Sequence, residues 1–501
     1  MQITRKLIVS NTVWSAFAQG SVMLINLLVL PLFITNLGAE LYGIWVLSGV
    51  VLGYAGVFDF GFTQGLQKYV AEAKVKQDDQ ELSEVVVTGL GILSSIGVSL
   101  GALIYFSAPS IVGFFSIGQE HVGVSLQLLR ISALFSIVMW PLRIIDVVLN
   151  ASMRIKELSI LNGCKSMVQS LLMLVMISNS SDIVQIKWVV ATAVLGVSLF
   201  GIVLLRRYIP EISWCPLNFK ICQAMRMQRF SMGMFYGALV GALGTKVDAL
   251  ILGKMLTMES VAVYAVVSRP LLLYRSIEAL FLQTLMPSIY NLVASKQISN
   301  LEILLFEVAR FRLLISSVFA IVMFAFVDDF IYLWVGEAFR EYSDWARLLC
   351  VVPLFTVLGA GNAVARGLGH LKVVNLVFSV QILLNVTVSV FLIGRFGVGG
   401  PILGTFLAVC LVGDFVVFPY YCKLSGLPCK SSYLMSIRGL AVVFPFICLS
   451  YLYVDSPVDS WVGLFFGSGF LAFTATSVVL LNLFSLSGAR GLLAQFRARF
   501  L

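Results

Sequence analysis

Long runs of apolar residues, separated by charged residues or by Gly, Pro and Asn, recur along the whole chain of 501 residues. About 20 consecutive apolar residues suffice for a helix to cross a bilayer, whereas the strands of a membrane barrel alternate over about 10 residues. Because these runs are long and continuous, they predict helices. Fourteen membrane-spanning helices are expected, over residues 13–35, 43–67, 85–107, 124–149, 159–177, 188–205, 230–254, 261–285, 311–331, 345–365, 374–393, 400–420, 439–454 and 461–484.

The composition agrees with an all-α membrane protein. Hydrophobic residues make up 59% of the chain and charged residues 12%, and the mean hydropathy is +0.97. A soluble globular protein has about 45–50% apolar and about 25% charged residues. The composition therefore excludes a soluble enzyme, a nucleic-acid-binding protein and a disordered chain, and it predicts a multi-pass membrane protein.

The basic residues are distributed unequally between the two sides of the predicted helices. With the N-terminus inside, 23 lysines and arginines fall on the cytoplasmic side and 4 on the opposite side. Cytoplasmic loops of membrane proteins carry such an excess, so both termini are predicted to be cytoplasmic. The net charge of +9 then serves orientation and contact with anionic membrane lipids, and no nucleic-acid partner is expected.

Two connections between helices are echoed further along the chain, each at an offset of about 220 residues. Leu37–Gly43 resembles the segment that begins at Leu256, and the segment 150–162 resembles 366–375. The offset covers six predicted helices, which indicates two pseudo-symmetric six-helix lobes in the same orientation, followed by an additional pair. A cleft between such lobes is typical of a transporter, and a duplicated scaffold without a transport path is the alternative. The predicted divisions are an N-lobe over 1–205, a cytoplasmic linker over 206–229, a C-lobe over 230–420, and the last two helices with a cytoplasmic tail over 421–501.

Lys246 and Arg269 are predicted to lie inside the membrane. Each is placed about 12 Å below the outer end of its helix, at about 1.5 Å per residue. Neither has a carboxylate three or four residues away, and Asp248 points away from Lys246 because it is only two residues distant. Two such cations are suited to bind a phosphate-bearing substrate, and contact with lipid headgroups is the alternative.

Two further arginines have a carboxylate three residues away on the same predicted helix. Arg143 is followed by Asp146, and Arg275 is followed by Glu278. Residues at this spacing share a helix face, so each arginine either forms a neutral pair on its own helix or contributes to a substrate cavity.

Asp59 and Asp248 are carboxylates without a basic residue at helical spacing. A lone carboxylate in a membrane is suited to load a proton or Na⁺, which makes both residues candidates for ion coupling. A salt bridge to a cation on another helix is the alternative. No metal or organic cofactor is expected, because His121, His370 and the eight cysteines lack the spacing of metal ligands.

Several segments together resemble a known family. They are Asn11–Trp14, Leu37–Gly43, the run from Asp59 to Glu72, and its echo from Lys246 to Lys254. These are similar to segments of the multidrug/oligosaccharidyl-lipid/polysaccharide flippase superfamily, in particular its polysaccharide-transport branch. The likeness extends over all fourteen predicted helices.

The resemblance implies a flippase of the bacterial inner membrane. Its cargo would be an undecaprenyl-pyrophosphate-linked oligosaccharide, such as an O-antigen or capsule repeat unit, with the pyrophosphate held in a cationic central cavity. The family also implies coupling to a proton or sodium gradient. A polysaccharide polymerase and a chain-length regulator are the protein partners expected for such a flippase.

Other classes of protein remain as alternatives. A lipid II flippase is separated poorly by sequence, whereas a multidrug exporter should carry fewer buried cations because its substrates are cationic. A membrane polymerase or ligase would need a large outer loop for its active site. The outer connections predicted here are short, which disfavours an enzyme.

Overall fold

A computed structural model describes residues 27–55, 61–179, 182–295, 298–357, 371–413 and 460–483, together with residues 20, 25 and 59 and isolated residues within 365–370 and 419–448. Every regular element in these ranges is helical. The chain divides into two compact units, Met1–Ala262 and Val263–Leu501. The predicted lobe boundaries concern internal repetition, not packing, and they stay a prediction.

Fifteen helices are described. Those that begin in unit 1 are α1 Leu27–Leu37, α2 Ala39–Ala55, α3 Phe62–Lys76, α4 Asp79–Phe114, α5 Val122–Ala151, α6 Ile155–Asn179, α7 Ile183–Tyr208, α8 Ile221–Met255 and α9 Met258–Val267. Those of unit 2 are α10 Arg269–Ala294, α11 Ile298–Val335, α12 Ser343–Val351, α13 Leu371–Phe396, α14 Gly399–Val412 and α15 Trp461–Leu483.

Six segments of the described chain are long and apolar enough to cross a membrane. They are Asp79–Phe114, Gln119–Ala151, Ile155–Asn179, Ile183–Tyr208, Ile303–Val335 and Lys372–Phe396. A seventh span is formed if Phe235–Gly244 and Lys246–Met255, which meet at an angle of 53°, count as one. The prediction of an all-helical multi-pass protein is confirmed, whereas the number fourteen and the side on which the termini lie stay predictions.

The core of unit 1 depends on close packing of α4 against α5. A Cβ at Gly97 would lie 2.8 Å from the Cβ of Trp140, and one at Gly101 would lie 2.8 Å from the carbonyl oxygen of Ala133. Only glycine allows such proximity of the two helices. Buried side chains of α3, α4 and α5, including Leu66 and Leu93, fill the space beside this contact.

The segment between α7 and α8 lies on the surface of α4. The backbone N–H of Ser213 donates to Ser83 Oγ at 2.9 Å, and that of Lys220 donates to Thr88 Oγ1 at 2.9 Å. Ile212 is buried nearby in the same core. The predicted inter-lobe linker is therefore attached to unit 1 by hydrogen bonds and apolar contacts.

The prediction of one helix over 43–67 is wrong. Helix α2 ends at Ala55, and α3 begins at Phe62 after Gly61, whose φ of 73° is left-handed. The carboxylate of Asp59 accepts the Gly61 N–H at 2.7 Å and the Thr63 hydroxyl at 2.8 Å. A glycine that adopts the left-handed conformation and a carboxylate that binds the next backbone N–H together explain the break.

The prediction of one helix over 261–285 is also wrong. Helix α9 ends at Val267 and α10 begins at Arg269, so Pro270 is the second residue of a new helix. Proline lacks the N–H that an interior position needs, and it is tolerated in the first turn. The predicted helix 345–365 likewise ends early, at Val351, before a 3₁₀ turn over Val352–Phe355. The predicted helix 439–454 lies mostly outside the described residues.

Candidate functional site

Lys246 is a half-buried cation in the bent span of α8, at the first residue after the bend. Its ammonium lies against α2, where a Cβ at Gly53 would be only 1.4 Å from Lys246 Nζ. Among the residues that the structure describes, no hydrogen bond or ion pair to Lys246 is found. We call Lys246 and Gly53 the Lys246 site. Its ammonium is packed against a glycine and carries a positive charge that no carboxylate of the described chain compensates.

The same helix α2 approaches the start of α9. A Cβ at Gly43 would lie 1.8 Å from the carbonyl oxygen of Met258, so position 43 also requires glycine. Gly43 and Met258 belong to the two segments, Leu37–Gly43 and the one that begins at Leu256, whose sequences resemble one another. The contact between them helps to hold α2 against the α8–α9 segment and so fixes the position of Gly53.

Arg143 and Asp59 form an ion pair in unit 1. Arg143 Nη2 lies 3.9 Å from Asp59 Oδ2, and the guanidinium lies 4.5 Å from the ring centroid of Trp140. Asp59 is 7% exposed, whereas the side chain of Arg143 is 37% exposed. Of the two interpretations offered for Asp59, the described geometry is that of a salt bridge between separate elements.

The predicted pairs on single helices are not formed. Asp146 accepts from Lys165 of α6 at 3.3 Å, so it does not neutralise Arg143. Glu278 pairs with Arg312 of α11, so it does not neutralise Arg275. Arg275 is exposed and has no ion pair within the described ranges. Contacts between helices have replaced contacts along one helix in both cases.

Arg312 is a membrane cation that sequence reasoning missed. It is the second residue of the predicted helix 311–331, where a basic residue counts toward the cytoplasmic excess, but it lies well within the span Ile303–Val335 and is 5% exposed. Besides its bond to Glu278, its Nε and Nη1 atoms are buried without a hydrogen-bond partner among the described residues. The sequence offers one sign of this pair. Glu278 is a carboxylate in an apolar run, and without Arg275 as its partner it requires a cation on another helix.

Arg269 and Asp248 belong to different units of the chain. Arg269 is the first residue of α10 in unit 2, and its Nε atom is buried without a hydrogen-bond partner in the described structure. Asp248 of unit 1 is 8% exposed and lies on α8, two residues beyond Lys246. The predicted common depth of Lys246 and Arg269 stays a prediction.

One group of potential metal ligands occurs in the described part of unit 1. Oxygen or nitrogen atoms of Glu40, Glu120 and His121 lie within 4.8 Å of one another, with His121 Nε2 at 3.5 Å from Glu40 Oε2. Exposed acidic groups often cluster without binding an ion. The expectation that the protein uses no metal stays a prediction.

An ion network lies at the start of α8. Arg226 Nη1 donates to Glu81 Oε1 at 2.9 Å, and its guanidinium lies 4.5 Å from the centroid of Tyr69. The hydrogen bond to Glu81 raises the pKa of Arg226 above its ordinary value, so its charge is permanent. The network joins α8 to α3 and α4 and orients the helix that carries Lys246.

The fold matches those of solved transporters of the superfamily suggested by the sequence. The lipid II flippase MurJ in an inward closed conformation is 14% identical, with a TM-score of 0.69. The match covers 93% of this chain and 98% of that one. An inward-facing multidrug resistance transporter of the MATE family is 13% identical, with a TM-score of 0.68. That match covers 81% of this chain and 94% of the other. At these identities the likeness concerns the fold.

Sequence comparison identifies the family. The model of the family described as polysaccharide biosynthesis protein matches residues 8–293, which is more than half of the chain. The chain therefore belongs to this family, and the resemblance found from the sequence is confirmed. A candidate O-antigen transporter of Shigella flexneri is 28% identical over 121 residues, which is 24% of this chain and 28% of that relative. The family and the apolar helices indicate a multi-pass membrane protein.

Proposed function

We propose that the protein is a flippase of the bacterial inner membrane for an undecaprenyl-pyrophosphate-linked oligosaccharide repeat unit of O-antigen or capsule type. It would move this cargo from the cytoplasmic to the periplasmic leaflet by alternating access. The family described as polysaccharide biosynthesis protein, a relative named for O-antigen transport and a fold shared with a lipid II flippase support this proposal. A polysaccharide polymerase and a chain-length regulator are the proposed partners.

The Lys246 site carries the proposal. An ionised side chain at bilayer depth costs at least about 2.5–3.5 kcal/mol. Lys246 offsets none of this cost through a carboxylate of the described chain, and its ammonium lies against Gly53 of α2. An anion brought by the cargo would offset it, and a pyrophosphate supplies two negative groups that accept charge-assisted hydrogen bonds. We therefore assign Lys246 to pyrophosphate binding.

Three arginines are proposed to assist at other points of the transport cycle. Arg143 has hydrogen-bond donors beyond its contact with Asp59, because the closest approach of that pair is 3.9 Å. Arg269 has a buried Nε without an acceptor in the described structure, and Arg275 is exposed. All three are suited to contact phosphate or sugar oxygens of the cargo.

Transport is proposed to be coupled to a proton or sodium gradient through Asp59 or Asp248. Both carboxylates are buried, and a buried carboxylate changes its charge when it takes up a cation. At Asp59, an arriving cation would compete with Arg143 for the same oxygen atoms. Neutralisation of Asp59 would then release Arg143 toward the anionic cargo. Uptake of the coupling cation and binding of the cargo would thereby be linked.

Two alternatives within the superfamily differ in the cargo. A lipid II flippase would carry the same diphosphate on another glycan, and a multidrug exporter would carry organic cations. The uncompensated charge of Lys246 favours an anionic cargo over a cationic one. The identity of the lipid-linked glycan that accumulates in cells without the gene distinguishes the two flippases.

The test uses a strain without the gene, complemented with Lys246→Ala, and compares surface polysaccharide and cytoplasmic lipid-linked glycan with the unmodified protein. Loss of a charged hydrogen bond is expected to reduce translocation about tenfold or more, with protein level unchanged. Lys187→Ala is the matched control. The ammonium of Lys187 lies 4.5 Å from the ring centroid of Trp45, so its charge already has a partner within the protein. Normal surface polysaccharide with Lys246→Ala would contradict the proposal.

A further inference from the structure

An apolar crevice of about 350 Å³ lies between α2, α4 and α8 in unit 1. It is formed by five apolar residues and one serine, namely Val51, Ser110, Ile111, Phe114, Phe115 and Leu250. It lies near the end of α4 and α8 that the basic residues predict to be periplasmic. Helix α4 is long and apolar enough to cross a membrane, and the crevice lies at its C-terminal end, just beyond the predicted span 85–107.

The walls of the crevice are held together by hydrogen bonds between α8 and the residues that follow α4. The N–H of Ser116 donates to the carbonyl oxygen of Gly253 at 3.0 Å, and its hydroxyl donates to that of Lys254 at 3.0 Å. A Cβ at Gly253 would lie 3.3 Å from Phe115 Cδ1, so helix α8 and the segment after α4 pack closely. The opening is therefore a fixed feature of the fold and not a gap between loosely packed helices.

A cation stands at the edge of this crevice. The ammonium nitrogen of Lys254 lies 4.4 Å from the ring centroid of Phe114, which is itself a wall residue and 54% exposed. Lys254 is exposed and forms no ion pair with the described residues. An apolar slot beside an uncompensated basic group is complementary to a lipid with a hydrocarbon chain and a negative headgroup.

We propose that the crevice binds one acyl chain of an anionic phospholipid, whose phosphate contacts Lys254. The single lysine at the edge of the crevice fits a headgroup with one negative charge. The volume accommodates part of a hydrocarbon chain, and the apolar lining offers few partners for sugar hydroxyls. This phospholipid site is distinct from the Lys246 site and does not depend on the proposed cargo.

The test labels the full-length protein in nanodiscs with phosphatidylglycerol or phosphatidylcholine that carries a photoreactive group on the acyl chain. Peptides containing Ile111 and Phe114 are expected to be labelled about fivefold more by phosphatidylglycerol, the preference that one basic residue gives. Lys254→Gln should remove this preference. Arg395→Gln is the matched control, because Arg395 lies beside Phe396 on α13, a helix that contributes no residue to the crevice, and it should leave the preference unchanged.

A second pair of variants tests the crevice itself. Ser110→Trp places an indole in the opening from an exposed position and should lower labelling of these peptides by both lipids. Ser95→Trp, at an exposed position of α4 outside the crevice, should not. Equal labelling by both lipids in the unmodified protein, or labelling unaffected by Ser110→Trp, would overturn the proposal. Displacement by a trace of polyprenyl phosphate would also overturn it, because the crevice would then belong to the lipid carrier.

Discussion

Gly53→Ala is the smallest change that displaces the ammonium of Lys246 without removing it. The new Cβ would lie 1.4 Å from Nζ and 2.6 Å from Cε of the lysine. Non-bonded heavy atoms separate to about 3.5 Å or more, so the ammonium must move by about 2 Å. A displacement of about 1 Å of a positioned group can lower a rate up to about 10²-fold. We expect translocation to fall at least about tenfold.

The fold should tolerate this substitution. The atoms that clash belong to the far end of a flexible side chain, and moving them off a preferred rotamer costs about 0.5–1.5 kcal/mol. Alanine in place of glycine inside a helix gains about 0.5–1 kcal/mol, which offsets that cost. The thermal unfolding midpoint should therefore stay close to that of the unmodified protein. A loss of transport without a loss of stability separates this effect from simple destabilisation.

The assay measures lipid-linked glycan that reaches the periplasmic leaflet, normalised to protein level, in a strain without the native gene. Gly49→Ala is the matched control on α2, because no heavy atom lies within 4 Å of its new Cβ. In a Lys246→Ala background, Gly53→Ala should cause no additional loss, since the clash is gone. Equal transport by Gly53→Ala and Gly49→Ala, or additive losses in the double variant, would refute the argument.

Two other predictions concern ion pairs. Glu278→Gln leaves Arg312 buried without its partner and should lower the free energy of unfolding by about 3–5 kcal/mol. Thermal unfolding in detergent measures this change. Arg275→Gln, at an exposed position of the same helix, should change the free energy little. Asp59→Asn removes the charge facing Arg143, and it should weaken the dependence of transport on the ion gradient; an unchanged response when the gradient is collapsed would contradict the coupling role.

The sequence predicted where most helices lie, because membrane helices are defined by long apolar runs. The run 188–205 corresponds to α7, which extends from Ile183 to Tyr208, and 374–393 corresponds to α13. The runs did not reveal the break at Gly61, since its neighbours are as apolar as those of a continuous helix. The break depends on the Asp59 carboxylate, which binds a backbone N–H two residues away.

Helical spacing could not identify the partners of the charged residues, because those partners lie on other elements. Asp59 contacts Arg143 across 84 positions, and Glu278 contacts Arg312 on the following helix. Spacing does indicate that Lys246 lacks a carboxylate three or four residues away on its own helix. It gives no sign that Gly53, nearly 200 residues earlier, provides the space for the ammonium. Such contacts are properties of how helices pack, which a single sequence does not encode locally.

The distribution of carboxylates among the basic residues gives the proposed flippase a division of roles. The attraction between unit charges 4 Å apart is about 1 kcal/mol in water and about 4 kcal/mol at an effective dielectric constant of 20. Arg143 already has a carboxylate at this distance, so an arriving phosphate competes with Asp59 there. Lys246 has no such competitor among the described residues, so the same phosphate gains the full attraction at that point. Under the proposed function, Lys246 would supply affinity for the diphosphate and Arg143 would respond to the state of Asp59, so that different cations would serve binding and ion coupling.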